Sequence, residues 1–301
     1  MGKTNYAAID IGSNAVRLLI KGVDNDFGEE VSFKKLILLR VALRLGFDVF
    51  TNGRISDDKA TKLKRLMKAF KLMMKVYDVK KFKACATSAM RDAVNGDKII
   101  KKIEKSTGIE IEIIDGSKEA NIIFNNHAQC HQDRSGNYLY VDVGGGSTEL
   151  NMAVDGRLVW SKSYNIGTIR ILTNRVGEGI KEKLDEDLKK IAEEYQTINL
   201  IGSGGNINKL YKMVDKKDKK QKRIAVSCVK KIYEEMKVMS IEERMENYSM
   251  KVDRADVIVP ACEIFLAISE AVKAQYIHVP TIGLSDGIID ILYDQDRLID
   301  A

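Results

Sequence analysis

The sequence predicts an α/β protein with two lobes that repeat one structural plan. Residues 6–20 and residues 138–150 each read as an apolar strand, an aspartate, a glycine-containing turn and a second strand. A repeat that keeps its acid and its glycine at matching positions indicates two related lobes. The 301 residues are enough for two domains of ordinary size, each with its own core.

The first lobe should begin with three strands. Residues 6–23 are predicted to form a hairpin, and residues 30–43, which are rich in Val, Ile and Leu, a third strand. Ser56 can cap a helix that runs to about residue 77, because apolar residues recur there at spacings of three and four. The remaining elements are predicted in the order strand 82–87, helix 99–106, strand 110–114 and helix 117–130.

The second lobe should repeat this order. Residues 138–164 read as three strands, and Ser240 with Glu243 has the capping-box pattern of a helix start. The other predicted elements are helices 167–176 and 184–195, strand 197–201, a helix through Leu210, helix 255–273 with Pro260 near its start, strand 276–279 and helix 284–298.

Composition favours a cytoplasmic globular protein. Hydrophobic residues make up 45% of the chain and charged residues 31%. We see no apolar run of membrane-spanning length and no signal-peptide core at the start, so no membrane association is expected. The 4 cysteines are scattered without a C-x-x-C pair, which favours reduced thiols.

The positive charge is concentrated in the first part of the chain. The net charge is +6, and residues 1–125 carry 24 basic against 16 acidic side chains. Such a lobe should attract polyanions. We expect no nucleic-acid partner, because no helix-turn-helix, zinc-finger or aromatic RNP signature is present.

The sharpest chemical signal lies in residues 138–150. Asp142 ends a buried strand, three glycines follow, and Glu149 places a second carboxylate seven residues later. A glycine turn leaves backbone N–H groups accessible to an anion, and two carboxylates beside it suggest a divalent metal and phosphoryl chemistry. A glycine-rich hairpin without a ligand is the alternative. The matching residues Asp10 and Gly12 near the N-terminus favour the phosphate loop.

The segments DIGSNAVRL and DVGGGSTEL together resemble the Ppx/GppA family of exopolyphosphatases and guanosine pentaphosphate phosphatases. Further similar segments, such as ATSAMRDAVNG and GLSDGIIDIL, occur in the expected order over nearly the whole chain. The resemblance implies two actin-like (ribonuclease H-like) α/β lobes with mixed sheets around a central cleft. Lobe I would cover residues 1–125 and lobe II residues 126–301, with a C-terminal helix, about 284–298, that can pack back on lobe I. This corresponds to the short two-domain form of the family.

The resemblance also implies the catalytic residues. Glu119 matches the family's proposed catalytic base, which would orient a water in line with the terminal phosphorus. Without the resemblance, an acid that complements a helix dipole is the simpler interpretation. Arg91 resembles the family's cleft arginine in the T-S-A-x-R segment. Lys118 and Ser285 depart from the pattern, because many relatives have an acid and an arginine there.

The remaining site residues hold metal and phosphate. We expect Asp142 and Glu149 to bind Mg²⁺, directly or through water, with Asp10 as a further ligand. The residues expected to contact phosphate oxygens are Ser13, Asn14, Arg17, Gly144, Gly145, Gly146 and Ser147. For Arg17, a solvent-facing strand position is nearly as well supported.

Two other patterns have simpler explanations. The basic run at residues 216–223 is typical of a solvated loop, although it could guide a polyphosphate chain. His127 and His131 are four residues apart with Cys130 between them, which superficially suggests a metal site, but no ligands beyond these are spaced nearby.

The predicted function is Mg²⁺-dependent exopolyphosphatase activity, which releases orthophosphate from the end of inorganic polyphosphate. Hydrolysis of guanosine pentaphosphate is the nearest alternative, since both substrates end in a phosphoanhydride. An ATP-using kinase or chaperone of the same superfamily, and a non-catalytic sensor of (p)ppGpp or polyphosphate, are the others. Homodimers are plausible because family members often pair.

Overall fold

A computed structural model describes residues 4–24, 32–130, 135–215 and 217–299. The chain divides into two compact units. Unit 1 consists of residues 1–115 together with residues 284–301, and unit 2 consists of residues 116–283.

Unit 1 is built on a five-stranded mixed sheet with the order β3-β2-β1-β4-β5. The first three strands are antiparallel, and β4 and β5 extend the sheet in parallel with β1. Helix α2 begins where the Ser56 hydroxyl accepts a hydrogen bond from the Lys59 N–H. The elements are β1 (Thr4–Ile11), β2 (Val16–Asp24), β3 (Ser32–Val41), α1 (Leu45–Asn52), α2 (Asp57–Val76), β4 (Val79–Ala86), α3 (Ser88–Asp92), α4 (Gly96–Thr107) and β5 (Ile111–Ile113).

Unit 2 is built on a six-stranded mixed sheet with the order β10-β11-β9-β6-β7-β8. Strands β6, β7 and β8 are antiparallel neighbours, whereas β9 pairs in parallel with both β6 and β11. The elements are α5 (Gly116–Cys130), β6 (Asn137–Val143), β7 (Thr148–Val154), β8 (Arg157–Tyr164), α6 (Thr168–Leu172), α7 (Ile180–Glu194), β9 (Ile198–Ser203), α8 (Gly204–Met213), β10 (Arg223–Ala225), α9 (Val226–Lys237), α10 (Ile241–Asn247), α11 (Val252–Ala255), α12 (Ile258–Ala271) and β11 (Tyr276–His278).

The two sheets share one strand order, as the internal repeat predicts. The sequence β3-β2-β1-β4-β5 of unit 1 corresponds to β8-β7-β6-β9-β11 of unit 2, with β10 added at the edge. Each unit also contains a helix that follows the strands of the other unit in the sequence. Helix α5 follows the strands of unit 1 but belongs to unit 2, and α13 (Leu284–Ile299) follows those of unit 2 but belongs to unit 1.

This exchange moves the observed division of the chain away from the predicted boundary at residues 125 and 126. Helix α5 packs on β7 and β8, and the ring of Phe124 meets that of Tyr140 edge to face at 5.3 Å. The internal repeat predicts that α5 belongs to the first lobe, because α5 directly follows the strands of that lobe in the sequence. The apolar contacts assign it to the second sheet.

Both sheets have buried centres. In β1, Ala7, Ala8 and Ile9 are completely buried, so elements cover both faces of this central strand. In unit 2, one face of the sheet supplies Leu139, Val141 and Leu150 to the main apolar core. The opposite face carries Tyr140 and the polar residues described below, so the two faces of this sheet have different roles.

Most predicted elements are present, with a few differences. Helices α1, α3 and α9 and strand β10 had no predicted counterpart. Arg44, the residue before helix α1, has a left-handed backbone conformation, and its side chain does not cap the helix. Helix α1 therefore lacks the usual start signal. The predicted helix 255–273 is divided into α11 and α12. The ring of Pro260 is incompatible with a helical carbonyl at Asp256, four residues earlier, and this explains the break.

Candidate active site

The first glycine loop, residues 10–17, is named loop 1. Asp10 at the end of β1 pairs directly with Arg17 at the start of β2, and the Arg17 Nη1 to Asp10 Oδ2 distance is 2.5 Å. The Asp10 side chain is 4% exposed and that of Arg17 30%. A buried carboxylate beside a guanidinium has its charge neutralised within the hairpin. Arg17 is therefore not the solvent-facing strand residue that we considered as an alternative.

Neighbouring elements fix the shape of loop 1. The carbonyl of Ser13 accepts a hydrogen bond from Gly46, and that of Asn14 accepts one from Arg44. The Ser13 hydroxyl lies 2.8 Å from the Ser88 hydroxyl and accepts from the Ala89 N–H. Within the described part of the chain, the Ser13 N–H has no protein acceptor, as expected of a phosphate-binding amide.

Arg91 lies on α3, one turn after Ser88. Its Nη1 donates to the Ile114 carbonyl at 2.8 Å, and its side chain is 25% exposed. The bond to Ile114 holds the guanidinium in a fixed orientation, and its Nε lies 3.9 Å from an Asp92 carboxylate oxygen.

The second glycine loop, residues 142–149, is named loop 2. Asp142 at the end of β6 pairs directly with Glu149 in β7, so both carboxylates project from the same face of the sheet. Glu149 is 2% exposed and accepts a hydrogen bond from the Ser163 hydroxyl at 2.8 Å. Asp142 accepts one from the Ser203 hydroxyl, also at 2.8 Å. Loop 2 thus has a second acid where loop 1 has an arginine.

Loop 2 presents backbone N–H groups in a fixed arrangement. The carbonyls of Gly144 and Gly145 accept hydrogen bonds from the start of α6, and that of Gly146 accepts from the Arg170 Nε at 2.6 Å. In the residues that the structure describes, the N–H groups of Gly145 and Gly146 have no protein acceptor. Two adjacent donors of this kind form a cradle for a phosphate oxygen. Ser147 is buried beside them.

Two glycines outside loop 2 permit its close packing. A Cβ at Gly167 would lie 2.5 Å from the Gly145 carbonyl carbon, and one at Gly204 would lie 2.6 Å from the Asp142 Oδ1. Gly204 also has a φ of +88°, which side-chain-bearing residues rarely adopt. The start of helix α8 therefore packs directly against the Asp142 carboxylate.

Glu119 lies on the first turn of α5 and is 9% exposed. The helix starts against Ser163, since a Cβ at Gly116 would collide with that side chain. One residue after Glu119, the Ala120 carbonyl accepts a hydrogen bond from the Asn151 amide at 3.0 Å. Ser163 is the residue that bonds Glu149. Unit 2 therefore brings Glu119, Asp142 and Glu149 to one face of its sheet.

The Asp142 and Glu149 carboxylates fit a divalent metal. They are hard oxygen donors at directly paired positions of β6 and β7, and a bound cation would stabilise two like charges at this spacing. No group of three or more His, Cys, Asp or Glu side chains suited to a metal occurs within residues 4–24, 32–130, 135–215 and 217–299. A site with two carboxylates suits Mg²⁺, which keeps several water ligands.

Several residues that support the site were not predicted. They are Ser88, Ser163, Arg170, Ser203 and Arg254; the guanidinium of Arg254 covers Gly205 and donates to Asn206 at 3.0 Å. Ser88, Arg170, Ser203 and Arg254 lie in segments that resemble the family, namely ATSAMRDAVNG, NIGTIRI, IGSGGNINKL and DRADVIVPACEIF. Their positions were therefore visible in the sequence, but their contacts were not.

The remaining sequence patterns have local roles or lie outside the description. In the basic run, Lys217 stacks on Tyr211, and Arg223 pairs with Asp218 at 3.2 Å. Lys216 and His131 lie outside the described residues, as does the side chain of His127. Ser285 is buried beside Asp286, which pairs with Lys21 at 2.8 Å. In the described parts of the chain, no helix combines the length and apolarity that a membrane crossing requires.

Two α/β units with one strand order, each with an acid-bearing glycine loop, place the chain in the actin-like fold class. An exopolyphosphatase structure from Cytophaga hutchinsonii superposes with a TM-score of 0.81 at 24% identity, over 97% of this chain and 98% of that one. The model of the Ppx/GppA phosphatase family matches residues 27–295, and the chain belongs to this family.

Curated relatives carry several activities. A bifunctional 3-dehydroquinate synthase/phosphatase of Fusobacterium nucleatum is 35% identical over 67% of this chain and 33% of that protein. Exopolyphosphatase 1 of Mycobacterium tuberculosis is 29% identical over 54% of the chain and 46% of that protein. A guanosine-5′-triphosphate,3′-diphosphate pyrophosphatase of Aeromonas salmonicida is 24% identical over 98% of this chain and 61% of that protein. The chain therefore spans about a third to three fifths of the length of these relatives.

Proposed function

We propose that this protein is an Mg²⁺-dependent exopolyphosphatase, which hydrolyses the terminal phosphoanhydride of inorganic polyphosphate. The main support is the arrangement of loop 2, where Asp142 and Glu149 lie beside the N–H groups of Gly145 and Gly146, which have no acceptor among the described residues. Acidic metal ligands beside a backbone anion cradle suit phosphoryl transfer.

In this proposal, each group of the chain has one task. The Glu119 carboxylate accepts a proton from the attacking water, whose oxygen forms a bond to the terminal phosphorus. The bridging P–O bond breaks, and orthophosphate and a chain shortened by one unit are released. The amides of Gly145 and Gly146 donate to phosphoryl oxygens, and Arg91 balances developing charge. Bound at Asp142 and Glu149, the metal ion would neutralise charge on the phosphate oxygens.

In loop 1, we propose that the Ser13 and Asn14 amides and the Arg17 guanidinium contact phosphate. The ion pair between Arg17 and Asp10 makes Asp10 a weaker candidate for a metal ligand than Asp142 or Glu149. The relative from Aeromonas salmonicida supports guanosine pentaphosphate as a second candidate substrate, because its similarity extends over 98% of the chain. The phosphoanhydride chemistry would be the same for both substrates.

The test is orthophosphate release by the purified protein, with long-chain polyphosphate, guanosine pentaphosphate and ATP offered in parallel. Each reaction is run with Mg²⁺ and with excess chelator. We expect metal-dependent release from polyphosphate. Glu119→Gln should abolish most of it, whereas Glu110→Gln, which alters an exposed acid before β5, should not.

Each outcome decides between candidates. Release mainly from guanosine pentaphosphate would keep the mechanism and change the substrate. Release from ATP alone would favour the kinase or chaperone class. Tight ligand binding without release from any of the three would reject the enzyme and favour a sensor.

A further inference from the structure

A second basic surface lies in unit 1, on helices α2 and α4. A cavity of about 370 Å³ lies between these helices, with Arg54, Lys64, Lys98 and Lys102 in its lining. A neighbouring depression along α4 adds Lys101 and Lys105. These six basic residues are named the α2–α4 face. None of them belongs to loop 1, loop 2 or α5.

The charge of this face is not neutralised locally. Asp57 and Asp97 are the acids in the two linings, against six basic side chains. None of the six forms an ion pair or a side-chain hydrogen bond in the described residues. By contrast, nearby Lys59 pairs with Asp48 and Lys62 with Asp58. Unpaired positive charges that lie close together repel each other and destabilise the compact state. An anionic ligand that balances them would explain why these side chains are present.

The face is supported by a rigid base. Ile99 and Ile103, on the inner side of α4, are 6% and 1% exposed. Asn95, before α4, both donates to and accepts from the backbone of Ile55, at 2.8 and 3.0 Å. The lysines therefore stand on a helix whose position is fixed.

The spacing of these lysines suits an extended polyanion. The exposed side of α4 carries lysines at spacings of three and four residues, over a rise of about 10 Å; they are Lys98, Lys101, Lys102 and Lys105. A row of ammonium groups can follow a chain of phosphates. No aromatic side chain contributes to either lining, so the base stacking that single-stranded nucleic acid requires is missing.

We propose that the α2–α4 face is a second binding site for the inorganic polyphosphate chain, separate from the catalytic residues. The identity of the polyanion rests on the proposed function. The site would retain a long substrate between successive cleavages, because a linked second contact raises the effective concentration of the chain end. Short substrates would gain nothing from it.

The test compares two variants of the full chain with equal charge. One carries Lys98→Gln, Lys101→Gln, Lys102→Gln and Lys105→Gln. The control carries Lys181→Gln, Lys189→Gln, Lys190→Gln and Lys230→Gln, all exposed residues of unit 2. Binding of fluorescent long-chain polyphosphate is measured in chelator, where no turnover occurs. KM and kcat are then measured for long chains and for tripolyphosphate.

We expect the α4 variant to bind long chains about tenfold more weakly than the control, with a shallower salt dependence. Its KM for tripolyphosphate and its kcat should not change. Equal affinity of the two variants, no binding by the wild type, or an equal loss for tripolyphosphate would overturn the proposal. Tighter binding of single-stranded DNA than of polyphosphate at this face would replace it with a nucleic-acid site. If long chains bind at α4 but are not hydrolysed by the wild type, the proposed function fails and this site stands.

Discussion

Loop 1 and loop 2 are the same hairpin with opposite electrostatics. Both begin with an aspartate at the end of a central strand, and in both, loop carbonyls accept hydrogen bonds from residues at the start of the next helix. The residue paired with the aspartate differs. Asp10 faces Arg17, whereas Asp142 faces Glu149.

A repeated loop therefore need not have a repeated function. A carboxylate beside a guanidinium has its charge balanced by the protein, so it has little need of a metal. Two carboxylates at directly paired positions repel each other, and a bound cation would relieve that repulsion. We therefore propose loop 2 as the metal loop and loop 1 as a phosphate-binding loop.

The largest expected effect concerns Glu119, which lies on helix α5 of unit 2. Glu119→Gln should lower kcat by about 10²- to 10⁴-fold, the usual contribution of a general base. Binding of a non-hydrolysed phosphate analogue should be retained, and the thermal midpoint should stay close to that of the wild type. Loss of binding together with kcat would contradict a role limited to proton transfer.

The contrast between the loops is tested by removing the two charges one at a time. Glu149→Gln should raise the Mg²⁺ concentration for half-maximal activity, on the order of 10- to 100-fold, because it removes a metal-binding carboxylate. Arg17→Gln should raise KM for substrate without changing the metal requirement. Both are measured by titrating metal at saturating substrate and substrate at saturating metal. A larger shift in metal requirement for Arg17→Gln would reverse our assignment of the loops.

The packing of loop 2 should be sensitive to Gly167. A Cβ there would approach the Gly145 and Gly146 backbone within 2.5 to 2.6 Å, so Gly167→Ala must displace the loop. We expect it to lower the free energy of unfolding by about 1–3 kcal/mol and to reduce activity. Gly177→Ala is the matched control, since its Cβ meets a side-chain atom at 3.4 Å. Urea unfolding of both variants measures the difference, and equal stabilities would refute the clash.

A smaller effect on stability is expected from the aspartates that anchor a helix to the sheet in each unit. In unit 1, Asp296 of α13 accepts from the Tyr6 hydroxyl at 2.7 Å and pairs with Lys81. In unit 2, Asp187 of α7 accepts from the Tyr164 hydroxyl and from Lys162, both at 2.6 Å. Burial opposes ionisation of Asp187, but the hydrogen bonds from Lys162, Tyr164 and Lys183 outweigh it and lower its pKa to about 2. Hydrogen bonds from Lys81 and Tyr6 lower the pKa of Asp296.

The sign of the pH dependence follows from these shifts. The pKa of Asp187 is lower in the folded state than its ordinary value of 3.8. Ionised Asp187 therefore stabilises the fold at pH values above 3.8. That contribution is lost as the pH falls from there toward about 2. Asp187→Asn should cost about 1–3 kcal/mol at pH 7 and progressively less below pH 4. Unfolding curves at several pH values measure this, and a cost that stays constant down to pH 2 would contradict it.

The two-lobed α/β plan, both glycine loops and the family could be predicted from the amino-acid sequence. These features rest on short-range patterns: a strand followed by Asp and Gly, the Ser56 cap, and the capping box of Ser240 and Glu243, which α10 contains. Each depends on residues within a few positions of one another, so the order of letters is sufficient to reveal it. The opposite charges of Arg17 and Glu149 are also present in the sequence, but the register of the hairpins was needed to see that each of them faces an aspartate.

Tertiary structure decided which unit each helix joins and what supports the loops. Helix α5 was assigned to the first lobe, yet its contacts place Glu119 beside β7 and β8 of unit 2. Likewise, Gly167, Ser163 and Ser203 gained their roles only when the strand order brought them to loop 2. These contacts join residues 14 to 61 positions apart. The chain specifies them through the packing of whole elements, because no local pattern records which distant surface an element will cover.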